Sequence, residues 1–271
     1  MKLQYIAAAC LTGVMLFSAG CGGAPASESA SSGKPLLRAA THANWNPFEF
    51  LDKGTVTGFD VDLIRAMADK AGYTVEITDT GWEAIFEQIR QGQTDLAISG
   101  ITITPARKES YAFSAPYFMS RQAILTADPS ITSAKDLRSG KTIAVQNGST
   151  GQEVMEKLLG PNAPALKKTP MSIQMLLGSQ ADAIVGDATS VRSIAQQYPD
   201  RHFSIIYDDA AFAPEWFGIL YPKNGDPAVR EKMDRALQEL IADGTYQKLY
   251  EKWFHTAPDD VMMKKLKQGV Q

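Results

Sequence analysis

Apolar and polar positions along this chain follow two rhythms, and the order in which they alternate sets the fold class. Residues 36–41 form a short apolar run with strand period, and from Asp60 the apolar positions Val61, Ile64, Met67, Ala68 and Ala71 recur at helical spacing. Gly72 is placed to end that helix. Residues 73–78 alternate as a strand, 82–91 put Ile85, Phe86 and Ile89 on one helical face, and 95–99 read as the strand that follows. The theme then repeats: strand 141–145, helix 151–159, helix 172–177, strand 183–185, helix 189–197. Near the end, 216–221 predict a strand, 227–242 a helix with proline in its first turn, and 244–254 a last helix. Short apolar strands alternating with amphipathic helices predict an α/β architecture with largely buried strands. No repeat of solenoid length is visible.

The first residues change the picture by adding a compartment. Lys2 precedes an apolar run over 5–17, which Ser18-Ala19-Gly20-Cys21 closes with small residues, so 1–20 read as an export signal. The run falls short of the about 20 residues that a membrane span needs. Cleavage before Cys21 leaves a thiol for lipidation; Ser18 stands where a lipoprotein cleavage motif usually carries leucine, which keeps plain secretion and an uncleaved anchor as alternatives. Cys10 lies inside the run, so the mature chain keeps only Cys21, and both an internal disulfide and a Cys-ligated metal site are excluded. Residues 21–35, rich in Ala, Ser, Gly and Pro, read as the lipid-bearing cysteine and a flexible tether.

Composition excludes more than it proves. With 44% hydrophobic and 21% charged residues, the remainder is an ordinary soluble globular chain. A net charge of −3, with no basic run beyond Lys264, Lys265 and Lys267, argues against nucleic acid, and those three lysines read as a solvated face. His42, His202 and His255 lie far apart in sequence and fit no triad or zinc motif, so neither a metal nor a cofactor is expected.

Two stretches carry a family likeness. Gly58-Phe59-Asp60-Val61-Asp62-Leu63-Ile64-Arg65-Ala66-Met67-Ala68-Asp69-Lys70-Ala71 resembles the signature of the family 3 extracellular solute-binding proteins, and Ser99-Gly100-Ile101-Thr102-Ile103-Thr104-Pro105-Ala106-Arg107 resembles that family's ligand-carboxylate site. The resemblance runs from about Leu36 to Phe254. It implies a two-lobed periplasmic-binding-protein, or Venus flytrap, fold with two crossing hinge strands and the ligand in the interlobe cleft. Lobe one would comprise 36–124 and 215–271, and lobe two 125–214. The crossings would fall near 120–126 and 215–221.

The likeness also assigns roles. A free amino acid entering a closed cleft loses water from its carboxylate and its ammonium, and each needs a charged or strongly dipolar replacement. Arg107 would fork onto the carboxylate, with the Thr102 hydroxyl and backbone donors near Gly100 and Thr102 completing the shell. On the opposing lobe, Gly148-Ser149-Thr150-Gly151 precedes a helix, where free N–H groups and the dipole favour an anion, so Thr150 and Gly151 join the expected site. Without a Gly-Lys-Ser/Thr ending, that segment is no nucleotide phosphate loop. Asp187 matches the family's ammonium-binding acid and Ser99 a position whose carbonyl accepts from the same ammonium. A strand-end aspartate is otherwise most often a helix cap.

The side-chain pocket would be walled by Trp45 and Trp82, suiting a flat guanidinium or amide. His42 stands where relatives often carry an aspartate and suits an amide or an imidazole, and Gln146, at a position that faces the pocket in the family, would likewise bond an amide. The expected ligand is a polar amino acid of the arginine, lysine, histidine or glutamine type, and the expected partners are an ABC importer's membrane subunits, with the membrane touched only through a lipid anchor and the protein a monomer. Two other classes share the fold. A sensing module would need a separate output partner. An enzyme resembling the cyclohexadienyl dehydratases would need a proton donor, and Asp187 beside an ammonium is expected to stay ionised.

Overall fold

The computed structural model describes residues 33–268, so the expected export signal, Cys21 and nearly all of the tether fall outside the described residues. Two five-stranded sheets carry the architecture. In the first, the order is Thr74–Asp79, Leu36–Thr41, Leu96–Ala97, Leu220–Pro222, Tyr111–Phe113. Leu36–Thr41 runs parallel to both of its neighbours, which is why helices Phe59–Ala71 and Trp82–Arg90 must serve as crossovers, whereas Leu220–Pro222 joins antiparallel. Gly58 admits the chain to the first helix at φ 136, and a Cβ there would stand 2.1 Å from the Phe48 carbonyl oxygen. The signature glycine is therefore a packing requirement. Gly72 ends the helix in the left-handed conformation at φ 84.

The helix buries Leu63, Ile64 and Met67 against a cluster of aromatic rings from Phe48, Phe59, Tyr117, Phe118, Phe217 and Tyr246. Burying one such side chain contributes about 1.5–3 kcal/mol, so this plug outweighs any helix propensity in holding the lobe together. Helices Pro227–Ala242 and Thr245–Phe254 complete its cover.

The second sheet runs Leu166–Thr169, Ile143–Gln146, Ala183–Asp187, Gln122–Thr126, Ser204–Ile206. Its first three strands are parallel, and Gln122–Thr126 lies antiparallel between Ala183–Asp187 and Ser204–Ile206. Ile124 faces one core with Val145, Met155 and Val185, while Ala123 and Leu125 face another with Ile184 and Val191. Both faces are covered, and the apolar runs follow from that.

A two-stranded antiparallel ribbon joins the lobes: Phe118–Ser120 against Glu215–Phe217, with Glu215 opposite Ser120. The chain crosses once over Ser120 to Gln122 and again just before Glu215. The strand expected over 216–221 is therefore two strands, because its first half belongs to the ribbon and its second to the first sheet. At the break, a Cβ on Gly218 would meet Ile103 at 2.8 Å.

The strand expected at 95–99 shrinks to Leu96–Ala97, and an unforeseen helix spans Asp260–Gln268. Lys264, Lys265 and Lys267 do face water, yet Met262, Met263 and Leu266 bury against the first lobe. This helix braces the ribbon: the Met119 N–H lies 3.3 Å from Met262 Sδ, and Lys265 sits over the Trp216 ring at 5.7 Å. Among the described residues no helix is long and apolar enough to cross a membrane.

Candidate ligand-binding cleft

Between the lobes lies a cavity of about 280 Å³, lined from the first lobe by His42, Trp45, Trp82, Ser99, Gly100, Thr102 and Arg107, and from the second by Gln146, Thr150 and Asp187. Gly151 does not line it. That glycine instead lets the helix Thr150–Leu159 approach the crossing strand, since a Cβ would meet the Val185 carbonyl oxygen at 2.9 Å and Gln122 Oε1 at 3.0 Å. The lobes are closed on each other. Arg107 Nη2 donates to the Gly148 carbonyl across the gap at 3.0 Å, and Asn147 reaches Glu83.

Arg107 is fixed by its local sequence. Thr104 caps the short helix Pro105–Ser110 by accepting the Arg107 N–H at 3.1 Å, which aims the side chain back along the helix start. Nη1 donates to the Thr102 carbonyl at 2.8 Å, and the guanidinium lies over Trp82 and Phe86, 5.6 and 5.3 Å from their centroids. Burial holds its pKa below the ordinary arginine value despite nearby Glu153, Glu215 and Asp187. Trp82 thus walls the cleft and also carries the arginine.

The Thr102 N–H is turned away from its bridge partner. Its antiparallel bridge to Phe217 is closed by its neighbours, Ile103 N–H to the Trp216 carbonyl at 2.8 Å and Gly218 N–H to the Ile101 carbonyl at 3.0 Å, so the Thr102 N–H points away from Phe217. The Thr102 hydroxyl, expected on the ligand carboxylate, instead donates to Glu215 Oε2 at 2.9 Å. The Gly100 N–H, expected in the same shell, is likewise committed, to Asp60 Oδ2 at 3.0 Å and the Tyr117 hydroxyl at 3.2 Å. Both residues line the cavity, but those two donors are spoken for.

Asp60 belongs to the family-like signature, and its partners explain that signature physically. Its Oδ2 also accepts from the Tyr117 hydroxyl at 2.7 Å, while Ser99 Oγ donates to Glu49 Oε1 at 2.8 Å and accepts the His42 N–H at 3.1 Å. Burial pushes Asp60 up to about 7 and Glu49 well above the usual carboxylate range, the negative Asp60 adding to the latter. Glu49 Oε2 and Asp60 Oδ1 find no hydrogen-bond donor among the described residues, so burial beside the negative Asp60 favours a proton on Glu49. The pair underlies the Ser99-Gly100 loop and fixes where the Ser99 carbonyl points. Gly100 is held at φ 54, and a Cβ there would stand 2.2 Å from the Trp45 ring. Trp45 in turn packs on Phe48 at 4.7 Å between centroids.

Asp187 ends the strand Ala183–Asp187 and sits at the N-cap position of helix Ala188–Gln197, yet its side chain makes no capping bond. It accepts from Ser120 Oγ at 2.8 Å instead. Asp187 is half-buried as a residue, but its carboxyl is enclosed by the closed lobes. Burial, with the negative Glu215 nearby, pushes it up to about 8 against the pull of Ser120 and Arg107. Without a cation beside it, burial therefore favours the protonated form of Asp187 at neutral pH; the expected ionised carboxylate is that of Asp187 beside an ammonium.

His42 Nδ1 lies 2.9 Å from the Thr80 carbonyl oxygen; a carbonyl only accepts, so Nδ1 carries the proton and Nε2 is the ring atom left for a ligand. The rest of the lining is rich in amides and hydroxyls, including Asn44, Gln174, Gln197 and Ser193, with Glu49 and Asp187 as its acids. Gln122 and Glu215, which border this site, were missed by sequence reasoning. The one available signal was a polar residue opening the crossing strand Gln122–Thr126 ahead of the apolar Ala123, Ile124 and Leu125.

Two α/β lobes on a doubly crossed hinge, shut over a cavity with an arginine from one side and an aspartate from the other, define a two-lobed solute-binding protein. The match to the bacterial extracellular solute-binding proteins, family 3, spans residues 37–256, and the chain belongs to that family. It is 33% identical over 258 residues to a probable histidine-binding protein of Neisseria gonorrhoeae, covering 93% of this chain and 95% of that one. To the arginine-binding extracellular protein ArtP of Bacillus subtilis it is 31% identical, covering 93% and 97%. Among solved structures it is similar to the arginine-, lysine-, histidine-binding protein ArtJ of Geobacillus stearothermophilus, with a TM-score of 0.80 and 39% identity over 86% of this chain and 99% of that one.

Proposed function

We propose that this chain captures a free polar amino acid of the arginine, lysine, histidine or glutamine type, closes over it, and hands it to the membrane subunits of an ABC importer. The observation that carries the reading is a cation and an acid facing one cleft: Arg107 on the first lobe and Asp187 on the second, whose carboxyl ionises when an ammonium comes beside it. An amino acid bears its carboxylate and ammonium on one carbon, so a single small ligand satisfies both groups only when the lobes are together. Arg107 and the Thr102 N–H take the carboxylate, with Thr150 at the facing helix start; Asp187 and the Ser99 carbonyl take the ammonium. An affinity near micromolar, about −8 kcal/mol, is what such a site supplies.

The side-chain type is supported by Trp45 and Trp82 as flat walls and by His42 Nε2, Gln146 and the other neutral polar groups. These accept N–H donors from a guanidinium, imidazole or amide without an opposing charge. The names of the relatives, which specify histidine, arginine and lysine, agree with that range. We read the cleft as non-catalytic, because an ammonium beside Asp187 removes the proton that an elimination would use.

A thermal-shift screen of the twenty amino acids tests the reading. At a hundredfold excess over Kd a bound ligand adds about 2.7 kcal/mol, so at least one of the four should raise the unfolding temperature by several degrees. No shift with any of the four would reject it, and product from prephenate in the same samples, read by mass spectrometry, would move the cleft to enzyme chemistry.

In the same reading the chain is exported and held at the outer face of the cell membrane by a lipid on Cys21, working as a monomer with lobes 36–124 plus 215–271 and 125–214. Cys21→Ser is expected to shift the protein from the membrane to the soluble fraction; unchanged fractionation would remove the anchor.

A further inference from the structure

One carboxylate oxygen gathers donors from both lobes and from the crossing between them. Glu215 Oε2 accepts from Thr150 Oγ1 at 2.7 Å, from Thr102 Oγ1 at 2.9 Å and from Gln122 Nε2 at 3.2 Å. Thr102 moves with the first lobe through its bridge to Phe217, Thr150 opens a helix of the second lobe, and Gln122 starts the crossing strand. Their exposures are 5%, 6% and 1%, so water does not substitute for these bonds in the closed form. Gln122 also donates to Thr150 Oγ1 at 3.1 Å, and the two threonine hydroxyls stand 3.5 Å apart.

Swinging the lobes open separates Thr102 from Thr150. A single oxygen cannot follow both, so opening breaks at least one of its bonds. A hydroxyl has one proton, and a proton given to Glu215 is not available to a ligand; the ligand's carboxylate is left with Arg107 and the backbone N–H groups of Thr102 and Thr150. The geometry points to Glu215 as an interlobe latch, a positioning residue that draws Thr102 and Thr150 onto one oxygen and so favours the closed cleft before any ligand enters. The ligand then adds its own bonds to a closure that is already weighted. This deepens the amino-acid-capture reading and rests on it only for the ligand arm of the test.

Small-angle scattering of the ligand-free protein reads the latch directly. Glu215→Gln, which keeps the shape and removes the charge, is expected to shift the open-to-closed ratio roughly tenfold toward open, the worth of a hydrogen bond to a charged group, and to enlarge the radius of gyration. Thr150→Val, which removes one donor at similar volume, should act in the same direction and keeps the test intact should a Glu215 variant fold poorly. In stopped-flow mixing with L-arginine, Glu215→Gln is expected to bind faster, because more of the protein is open, and to release faster, because the closed complex has lost a tie. A purely structural role would lower the unfolding temperature without raising both rates. Ligand-free Glu215→Gln and Thr150→Val as compact as the original protein would overturn the latch. Expansion of the variants with no arginine binding by any form would leave the latch standing and count against the proposed ligand class.

Discussion

Arg107→Ala is expected to abolish amino acid binding, weakening Kd by roughly a thousandfold. The guanidinium has five N–H donors, and two of them are held by the Thr102 and Gly148 carbonyls, so three remain for a carboxylate. A carboxylate drawn into a shut cleft has lost its water, and leaving it there without the cation costs about 3–5 kcal/mol. The substitution also removes the bond to Gly148, which is itself a contact across the gap. Closure and recognition fail together. Arg107→Lys should recover little, because an ammonium does not present the planar fork or lie flat over Trp82 and Phe86. Calorimetric heats near those of the unaltered protein, with the amino acid found in the screen, would place the carboxylate elsewhere.

Asp187 carries the second large effect, and it has a pH signature. In the ligand-free cleft the group sits at about 8, raised from 3.8 by burial and the charge of Glu215. The sign of its contribution to folding follows: a raised acid stabilises the ligand-free protein below about pH 4, and that contribution is lost as pH rises through about 8. An ammonium reverses the preference, since it favours the carboxylate. Binding below pH 8 must therefore expel a proton, and affinity should improve by up to about tenfold per unit as pH rises from 6 toward 8, then level off. Asp60, at about 7, is a second group titrating in this range, but it lies under the Ser99-Gly100 loop and is bonded to Tyr117 and Gly100. Asp187→Asn separates the two. It should weaken binding roughly a hundredfold at pH 8 and flatten the slope. A slope that survives in Asp187→Asn would assign the proton to the Glu49 and Asp60 pair.

The lobes were legible because each strand is a short apolar run and each helix has one apolar face. Leu36–Thr41 and Pro227–Ala242 fall where the pattern puts them. Helix Asp260–Gln268 was hidden by Lys264, Lys265 and Lys267, which draw attention from the spacing of Met262, Met263 and Leu266. The divided strand at Gly218 was hidden for another reason: its two halves pair with different partners, and pairing is not written in local period. At the site, residue positions were more legible than atoms. Gly100 and Thr102 line the cavity, but the Gly100 N–H goes to Asp60 and the Thr102 hydroxyl to Glu215, because those buried acids take the nearest donors. Glu215 itself meets Thr102 across 113 positions of sequence, and no local pattern announces a contact at that range.

Ser120, Gln122 and Glu215 belong to the segments on which the lobes turn, and they also bond Asp187, Thr150 and Thr102 in turn. Of the three only Gln122 lines the cavity, but each bonds a side chain that does, so axle and pocket share one hydrogen-bond network. Selectivity and mobility cannot be tuned as separate dials in this molecule: a substitution that retunes the charge felt by a ligand's amino group also alters how freely the jaws rotate.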